Sequence, residues 1–299
     1  MPLCYSGNAI LTPCMLLVSP NFSDLFSPNI EIKKFPDGES YVRIPNAAEC
    51  KGRKVTVFHR LYPDQNQSLF ELLLILDELT YHGCHVAVVS PYLPYSRQDK
   101  KVLEGEIPGG KVVCKLLAQA GCKQFVTLDC HFIKKEGEYT HDDLNIKNIS
   151  MNAELIEYAR ELFGDKDLEI IAPDQGAGYM VKSEGGQTMT KTREGYTGGA
   201  IIYREVEKLE GKLDIEGKNV LILDDMISTG STMLKAVERM REAGAKKIAC
   251  AATHGLFLGS SLEKLQSVAD AVFVTDSIPG PAAKVSIKAK FDQNIQQLF

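Results

Sequence analysis

The chain has 299 residues, of which 44% are hydrophobic and 24% are charged, so it is long enough for two ordinary domains with buried cores. Its net charge of −5 argues against a general surface for nucleic acid or anionic lipid, although it allows a local basic pocket. The longest apolar run, Leu72–Leu76, is too short to cross a bilayer, and the N-terminal segment lacks the basic region of a signal peptide. We therefore expect a globular protein with no membrane partner and no nucleic-acid partner.

The cysteines indicate a reducing compartment. The eight cysteines are scattered and form no CxxC pair, which in a chain of this size is typical of reduced, mostly buried thiols. We therefore predict that the protein is cytoplasmic. The residues concerned are Cys4, Cys14, Cys50, Cys84, Cys114, Cys122, Cys130 and Cys250.

Short apolar runs rich in Val and Ile alternate along the chain with amphipathic stretches. The runs contain few polar residues, as expected of strands that are covered on both faces of a sheet. Strand–helix–strand alternation predicts parallel sheets with right-handed crossovers, and such sheets bind ligands outside the carboxyl ends of their strands. The predicted strands are Met15–Val18, Val55–His59, His85–Ser90, Gln124–Leu128, Glu169–Ala172, Val220–Leu223, Lys247–Ala252 and Ala271–Val274.

Amphipathic helices are predicted between several of these strands. Ser68 and Glu71 have the spacing of a capping box, and the apolar stripe that accompanies them ends at Gly83. A second stripe runs from Val112 to Ala120 and a third from Met233 to Ala243, and a glycine follows each of them. The pattern predicts a helix at each of these three places.

The polar, charged segment Ile133–Ser150 separates two stretches with similar alternation, and we interpret it as the region between two domains. The predicted fold class is α/β, with two tandem doubly wound parallel-sheet domains. The predicted boundaries are residues 1–147 for an N-terminal half, with the C-terminal tail packed on it, and residues 148–299 for a C-terminal half.

The most informative segment is Val220–Thr232, where a predicted strand leads into two acids and a turn of small hydroxyl residues. The strand delivers Asp224 and Asp225 at its carboxyl end, and a helix begins near Ser231. The backbone N–H groups of such a turn and of a helix N-terminus form a site for a phosphate dianion. The carboxylates would repel that phosphate, but they can hold the hydroxyls of its sugar, directly or through a metal. Ribose 5-phosphate fits both halves, whereas an acidic turn with a simple helix cap accounts only for Ser231.

This segment resembles the phosphoribosyl-pyrophosphate motif that type I phosphoribosyltransferases share with phosphoribosyl pyrophosphate synthetases. The resemblance implies that the hydroxyl-rich turn holds the 5-phosphate and that the acids contact the ribose. The residues implied to bind ribose 5-phosphate are Asp224, Asp225, Ser228, Thr229, Gly230, Ser231 and Thr232.

Four further segments follow the order found in the synthetases, which are also called ribose-phosphate pyrophosphokinases, so the resemblance covers residues from about 35 to 260. Phe35–Glu39, Tyr95–Lys100 and Thr127–His131 are similar to the three N-terminal signatures of that family, and Pro173–Gly176 is similar to its pyrophosphate loop. Each motif alone is weak, but the set in this order is specific. The resemblance implies type I phosphoribosyltransferase-like domains and an enzyme that transfers the pyrophosphoryl group of ATP to C1 of ribose 5-phosphate with Mg²⁺.

The N-terminal signatures imply the nucleotide site. In the family, the loop equivalent to Phe35–Glu39 reaches the ATP site of a neighbouring subunit, and an arginine such as Arg97 can pair with triphosphate oxygens through its planar fork. Without the other motifs, Pro36–Gly38 is ordinary turn chemistry, Arg97 is equally consistent with a surface residue, and His131 is more consistent with a structural histidine. The residues implied to bind ATP are Phe35, Asp37, Glu39, Arg97, Gln98, Asp99 and His131, and those implied to serve its Mg²⁺ are Asp129, His131 and Asp174.

The implied catalytic pair is Lys191 and Arg193, and Arg193 is also implied to contact ribose 5-phosphate. The pair lies in the glycine-rich polar segment Gly185–Gly199, which predicts a mobile loop. In the family, a Lys-x-Arg element on such a loop closes over the reacting phosphates. Two basic residues in an exposed loop are otherwise usually solvated, and Lys182, in a helix predicted after Gly178, is an alternative catalytic lysine.

Two glycine-rich segments approach nucleotide-binding motifs without matching them. Gly105–Val112 lacks the hydroxyl residue that ends a P-loop, so we interpret Gly109 and Gly110 as the lead into the following helix. Gly176–Val181 lacks the third glycine of a dinucleotide fingerprint and fits a pyrophosphate site better.

Two rival functions are a phosphoribosyltransferase, which consumes the product, and a non-catalytic regulatory homologue. The Arg97–Asp99 and Asp129–His131 signatures disfavour the first, and the presence of Lys191 and Arg193 disfavours the second.

The charged insert Phe132–Asn148 departs from the family pattern, while the loop around Lys191 is more similar to archaeal-type members. Family members are built from dimers, commonly assembled into hexamers, so the resemblance also implies a homo-oligomer.

Overall fold

The computed structural model describes residues 14–182, 185–189, 191–193, 205–207 and 215–295. The chain divides into two compact units. The N-terminal unit runs through Ser150 and resumes at Ile287, and the C-terminal unit spans Met151–Ser286.

A six-stranded sheet forms the centre of the N-terminal unit, with the strand order β1-β4-β5-β6-β8-β7. Every neighbouring pair in this sheet is parallel except β7 and β8, which are antiparallel, and a separate antiparallel hairpin is formed by β2 and β3. The strands are β1 (Met15–Val18), β2 (Glu31–Lys34), β3 (Ser40–Arg43), β4 (Lys54–Phe58), β5 (His85–Val89), β6 (Cys122–Leu128), β7 (Gly137–His141) and β8 (Leu144–Ile149).

Helices α1 (Gln65–Tyr81) and α2 (Gly109–Gln119) pack against this sheet through their apolar sides. Burial of the side chains that they share with β4, β5 and β6 supplies the main hydrophobic contribution to the stability of the unit. The predicted capping box at Ser68 is wrong, because α1 begins at Gln65 and both Ser68 and Glu71 are buried within it. The Glu71 carboxylate instead accepts a hydrogen bond of 2.8 Å from Ser40 Oγ, on the β2–β3 hairpin.

The polar segment that was interpreted as an interdomain region forms β7 and β8 of the N-terminal sheet, so that interpretation is wrong. Leu144, Ile146 and Ile149 of β8 are buried, because β8 lies between β6 and β7. Strand β7 stands at the edge of the sheet, where its polar side chains are compatible with solvent. The charged insert therefore extends the sheet.

The C-terminal unit has a second six-stranded sheet, with the order β10-β9-β13-β14-β15-β16 and every neighbouring pair parallel. A two-stranded antiparallel ribbon is formed by β11 and β12. The strands are β9 (Glu169–Ala172), β10 (Gln187–Thr188), β11 (Lys191–Arg193), β12 (Glu205–Glu207), β13 (Asn219–Ile227), β14 (Lys247–Gly255), β15 (Ala271–Thr275) and β16 (Ala283–Val285). The helices are α3 (Asn152–Phe163), α4 (Gly178–Lys182), α5 (Ser231–Glu242) and α6 (Ser261–Gln266).

The last helix, α7 (Lys288–Ile295), belongs to the N-terminal unit. Phe291 is fully buried, and its ring lies 6.5 Å from that of Phe58, at the end of β4. Among the described helices, none combines the length and the apolar character needed to cross a membrane.

Every predicted strand is present in the structure, and each of the three predicted helices is found within a few residues of its expected bounds. The prediction of reduced thiols is confirmed for the described cysteines, since all of them are free and all except Cys14 are buried. Cys4 lies outside the described residues. The α/β class with parallel sheets is confirmed.

Candidate active site

The carboxyl ends of β9 and β13 form the centre of the candidate site in the C-terminal unit. The chain continues from β9 to β10 on one side of the sheet, whereas β13 is followed by β14 on the other side. A reversal of this kind opens a crevice between the two strands, and open α/β sheets bind their ligands there. Pro173–Gly176 follows β9, and Asp224 lies in β13, so both predicted motifs reach this crevice.

Strand β13 is longer than predicted, and it carries the two acids inside the strand. Its hydrogen-bonded ladder with β14 continues to Ile227, but its ladder with β9 ends at Ile222. The segment with Asp224 and Asp225 is therefore supported on one edge only, beside the crevice.

The negative charges of Asp225 and Asp174 repel the carboxylate of Asp224. Asp224 is half-buried and Asp225 is 3% exposed, and the Asp225 N–H donates to Asp224 Oδ1 at 2.9 Å. Burial raises the pKa of Asp224 well above its ordinary value, and the negative charges of Asp225 and Asp174 raise it further. A group that offers hydroxyl donors or positive charge would relieve this repulsion.

The hydroxyl-rich turn after β13 is fixed from behind by the segment between β14 and α6. The Ser228 carbonyl accepts from the Leu258 N–H at 3.0 Å and from Ser261 Oγ at 3.2 Å. Gly230 has a φ of +75°, and a Cβ added there would lie 3.3 Å from both Ser261 Cβ and Leu265 Cδ1. Only glycine adopts this backbone conformation readily, so Gly230 allows the tight return of the chain into α5.

Helix α5 begins at Ser231, as predicted, and Gly230 is its N-cap residue. The first N–H groups of a helix have no partner within it, and they attract anions together with the helix dipole. The first turn contains no acidic residue, and the hydroxyls of Thr229 and Ser231 lie 3.3 Å apart. The turn has the donors that a phosphate requires.

The loop after β9 is compact because of two glycines. Asp174 Oδ1 accepts from the Ala177 N–H at 3.3 Å, and a Cβ on Gly176 would lie 2.9 Å from the same oxygen. A Cβ on Gly178 would lie 2.8 Å from Thr188 Oγ1 of β10. Asp174 is thus held beside β13 by its own loop.

Lys191 and Arg193 lie in β11, which pairs with Glu205–Glu207 of β12. The segment Gly185–Gly199, predicted as a loop, therefore contains β10 and β11, and its residues 190 and 194–199 lie outside the described part of the chain. The alternative lysine, Lys182, ends α4.

In the N-terminal unit, Phe35–Glu39 forms the turn of the β2–β3 hairpin. The Phe35 N–H donates to the Glu39 carbonyl at 2.8 Å, and Asp37 Oδ1 accepts from the Glu39 N–H at 3.1 Å. Gly38 has a φ of +99°, and Phe35 is 49% exposed. The structure gives the turn that the sequence predicts and presents its aromatic ring to the surface.

Arg97 and Gln98 line a cleft of about 510 Å³ in the N-terminal unit. Asp99 follows them in the chain and is half-buried. Sequence reasoning assigned no role to the remaining lining residues. These residues are Gln65, Asn66, Tyr92, Pro94 and Tyr95. Tyr95 opens the Tyr95–Lys100 signature, and the others lie outside every predicted motif.

Asp129 and His131 follow β6, at the carboxyl edge of the N-terminal sheet. Asp129 is buried with a φ of +34°, and its N–H donates to the Ile149 carbonyl at 3.0 Å. The Cys130 N–H donates to Asn148 Oδ1, and His131 is half-buried. Within the described ranges, no group of three or more His, Cys, Asp or Glu side chains is arranged as a metal cage.

Comparison with known proteins identifies both halves. Residues 24–121 match the model of the N-terminal domain of ribose phosphate pyrophosphokinase, and residues 159–279 match the phosphoribosyl transferase domain. A ribose-phosphate pyrophosphokinase of Pyrococcus furiosus is 38% identical to this chain over 87% of the chain and 89% of its own length. The chain belongs to the ribose-phosphate pyrophosphokinase family.

Other relatives extend this result. The ribose-phosphate pyrophosphokinases of Methanopyrus kandleri and Rhodopirellula baltica are 32% and 31% identical, over 90% and 86% of this chain and 90% and 80% of their own lengths. The crystal structure of phosphoribosylpyrophosphate synthetase from Mycobacterium smegmatis aligns with a TM-score of 0.78 at 26% identity, over 96% of this chain and 99% of that one. The resemblance to archaeal-type members is confirmed by the archaeal relatives, and the family confirms the phosphoribosyltransferase-type fold.

Proposed function

We propose that this protein transfers the β,γ-pyrophosphoryl group of Mg–ATP to the C1 hydroxyl of ribose 5-phosphate, giving phosphoribosyl pyrophosphate and AMP for nucleotide biosynthesis. The observation that carries the proposal is the turn Ser228–Thr232 beside the acids Asp224 and Asp174, in a chain whose other half is the N-terminal domain of the synthetases. A phosphoribosyltransferase alone does not account for that N-terminal half.

The C-terminal unit binds ribose 5-phosphate in this proposal. The N–H groups at the start of α5 and the hydroxyls of Ser228, Thr229 and Thr232 hold the 5-phosphate. Asp224 and Asp225 accept hydrogen bonds from the ribose hydroxyls, which relieves the repulsion that raises the pKa of Asp224. The sugar is then anchored at its far end.

The N-terminal unit binds ATP in this proposal. Arg97 and Gln98 contact the triphosphate at their cleft, and His131 contacts it from the end of β6. The exposed turn with Phe35, Asp37 and Glu39 contacts the nucleotide of a neighbouring subunit, which would make a dimer or a larger homo-oligomer necessary.

The reaction is an in-line displacement. The C1 oxygen attacks the β-phosphorus while the bond from that phosphorus to the α-phosphate oxygen breaks, and AMP leaves. Such a transfer needs positioning and charge neutralisation more than covalent help. Lys191 and Arg193 supply positive charge to the transferring group and to the departing phosphate. This role is supported by their residue types and by their place on the β11–β12 ribbon.

Magnesium enters as part of the Mg–ATP substrate. Mg²⁺ favours one or two carboxylates, phosphate oxygens and water over an all-protein cage, and the aspartates that follow β6 and β9 can supply such carboxylates. Asp174 would hold the ion, with Asp129 and His131 acting through water or on phosphate. When bound, Mg²⁺ neutralises charge on the phosphate oxygens. A cytoplasmic location stays a prediction.

The test is AMP release from ATP with and without ribose 5-phosphate, with phosphoribosyl pyrophosphate measured in the same samples. We expect AMP and phosphoribosyl pyrophosphate to appear in equal amounts and only with the sugar phosphate. Consumption of added phosphoribosyl pyrophosphate with a nucleobase, and no AMP release, would instead identify a transferase. Binding of nucleotide without turnover would identify a regulatory homologue.

A further inference from the structure

The cleft beside Arg97 contains two residues, Tyr95 and Asn66, to which neither the motifs nor the known relatives assign a role. We propose that Tyr95 and Asn66 are positioning residues for nucleotide binding, because their hydrogen bond fixes the turn that carries Arg97 and Gln98. The inference rests on the proposed assignment of this cleft to ATP.

Tyr95 has an unusual backbone conformation at the start of that turn. Its φ is +62°, in the left-handed region that residues with a side chain rarely adopt. Its carbonyl accepts from the Gln98 N–H at 2.8 Å, which closes the turn around Arg97. Strained residues of this kind persist where surrounding contacts hold them, and they are frequent at ligand sites.

The first of these contacts comes from α1. The Tyr95 hydroxyl donates a hydrogen bond to Asn66 Oδ1, in the first turn of the helix. Both residues line the cleft, so the bond joins the wall that α1 forms to the wall that the turn forms. Asn66 is exposed and Tyr95 is half-buried, so the bond lies at the surface that a ligand would meet.

The second contact comes from α2, through Gly109 and Gly110 at the start of that helix. A Cβ on Gly110 would lie 2.9 Å from the Tyr95 carbonyl oxygen, and a Cβ on Gly109 would lie 2.8 Å from Gln98 Oε1 and 2.9 Å from Tyr95 Cδ1. The Gly110 N–H donates to the Gln98 carbonyl at 3.1 Å. The glycines therefore allow α2 to pack directly against the turn.

The turn is thus clamped between α2 and α1, and among the described residues the hydrogen bond that joins α1 to the turn is the one between Tyr95 and Asn66. Arg97 and Gln98 are themselves exposed, so their place in the cleft is set by the backbone that carries them. Loss of the Tyr95–Asn66 bond would free the turn and weaken ATP binding, while the ribose phosphate turn, in the other unit, would be unaffected.

The test is a double-mutant cycle with Tyr95→Phe, Asn66→Ala and the double variant. For each single variant we expect the KM for ATP to rise about five- to tenfold, the equivalent of one lost hydrogen bond, with the KM for ribose 5-phosphate unchanged. The double variant should be no worse than either single one, because both remove the same contact. Additive effects, or a lower Tm with an unchanged KM for ATP, would overturn the proposal.

Tyr81→Phe and Asn46→Ala are the matched controls. Tyr81 is 84% exposed on α1, and Asn46 is exposed with no side-chain capping hydrogen bond, so both should leave every KM unchanged.

The Arg97→Ala variant distinguishes failure of the positioning role from failure of the assignment of the cleft to ATP. If Arg97→Ala raises the KM for ATP and Tyr95→Phe does not, the positioning role alone is wrong. If Arg97→Ala leaves the KM for ATP unchanged, the cleft is not the nucleotide site and both proposals for it are overturned.

Discussion

Asp224 shows at the level of one residue how a ligand site can lower the stability of its own protein. Its raised pKa means that the folded state holds the proton more tightly than the unfolded state, so its contribution to stability is full at low pH and is lost as the pH rises through the folded pKa. Above the ordinary pKa of an aspartate, the Asp224 carboxyl therefore opposes folding.

We accordingly expect Asp224→Asn to raise the Tm of the substrate-free protein and to weaken ribose 5-phosphate binding. The difference in Tm from the wild type should grow as the pH rises from about 4 towards neutrality, because the wild-type carboxyl ionises more readily in the unfolded state than in the folded state and asparagine does not ionise. Thermal unfolding at several pH values measures this. Asp167→Asn, at an exposed position, is the control, and a variant that is less stable than the wild type at neutral pH would contradict the argument.

Lys191 is expected to act mainly in the transition state. Lys191→Ala should lower kcat about 100-fold or more with a modest change in ribose 5-phosphate affinity, because charge on the transferring group develops only during reaction. Steady-state kinetics measures both quantities. Lys182→Ala tests the alternative lysine and should stay close to the wild type. An equal loss of binding and turnover in Lys191→Ala would exclude this role.

At the scale of elements, the junction of β13 and α5 depends on Gly230. Gly230→Ala should destabilise the protein by about 1–2 kcal/mol, from the left-handed backbone and the tight contacts with Ser261 and Leu265, and should also weaken ribose 5-phosphate binding. Denaturant unfolding and binding titrations measure these effects. Gly217→Ala is a matched control, since Gly217 has a φ of +73° and open space around it. If both variants weaken ribose 5-phosphate binding equally, the effect of Gly230→Ala does not arise from the junction of β13 and α5.

His59 joins three elements of the N-terminal unit. Its Nδ1 lies 2.8 Å from Ser19 Oγ after β1, and its Nε2 lies 2.9 Å from the Ser68 carbonyl in α1. The carbonyl can only accept, so Nε2 carries the proton and Nδ1 accepts from the serine. Burial lowers the pKa of His59 from 6.5 to about 4, and the neutral ring therefore stabilises the fold.

The sign of the pH dependence follows from this lowered pKa. Below pH 6.5 His59 is protonated in the unfolded state but stays neutral in the folded state. About 3 kcal/mol of stability is therefore lost as the pH falls from 6.5 to 4. We expect His59→Gln to flatten this part of the stability profile, measured by denaturant unfolding. His85→Gln, at an exposed histidine, should leave the profile unchanged. A profile that is equally steep in His59→Gln would show that other groups cause the loss.

Some of these elements could be predicted from the sequence and others could not. The central strands were predictable because residues such as Val55 and Val86 recur in uninterrupted apolar runs that must be buried on both faces. The edge strand β7 was not, since one of its edges meets solvent and tolerates polar residues. Glu71 was misread as a local cap because its partner, Ser40, is distant in sequence.

For the site, the local motif Val220–Thr232 predicted the turn, the helix start and the neighbouring acids. The supports of the site were not predictable, since Ser261, behind the turn, and Asn66, beside Arg97, contribute through contacts between segments far apart in the chain. A pattern within one segment contains no information about such contacts. The roles assigned to Lys191 and His131 stay predictions.

At the scale of the molecule, the chain combines a phosphoribosyltransferase-type unit with a second sheet that carries the nucleotide signatures. The proposed reaction requires that the C-terminal turn holds the terminal phosphate of the sugar while the N-terminal residues hold ATP. The first requirement is the central one, because the sugar must be anchored at one end for its other end to react.

The most direct test is the ratio of kcat/KM for ribose 5-phosphate to kcat/KM for ribose. It is measured by AMP release in the wild type and in one double variant that combines Thr229→Val with Thr232→Val. We predict a preference for the phosphorylated sugar of about 1,000-fold or more in the wild type, and a fall of at least tenfold in that preference in the variant, with activity on ribose unchanged. A variant that keeps the full preference would contradict the account, since the phosphate would then be bound elsewhere.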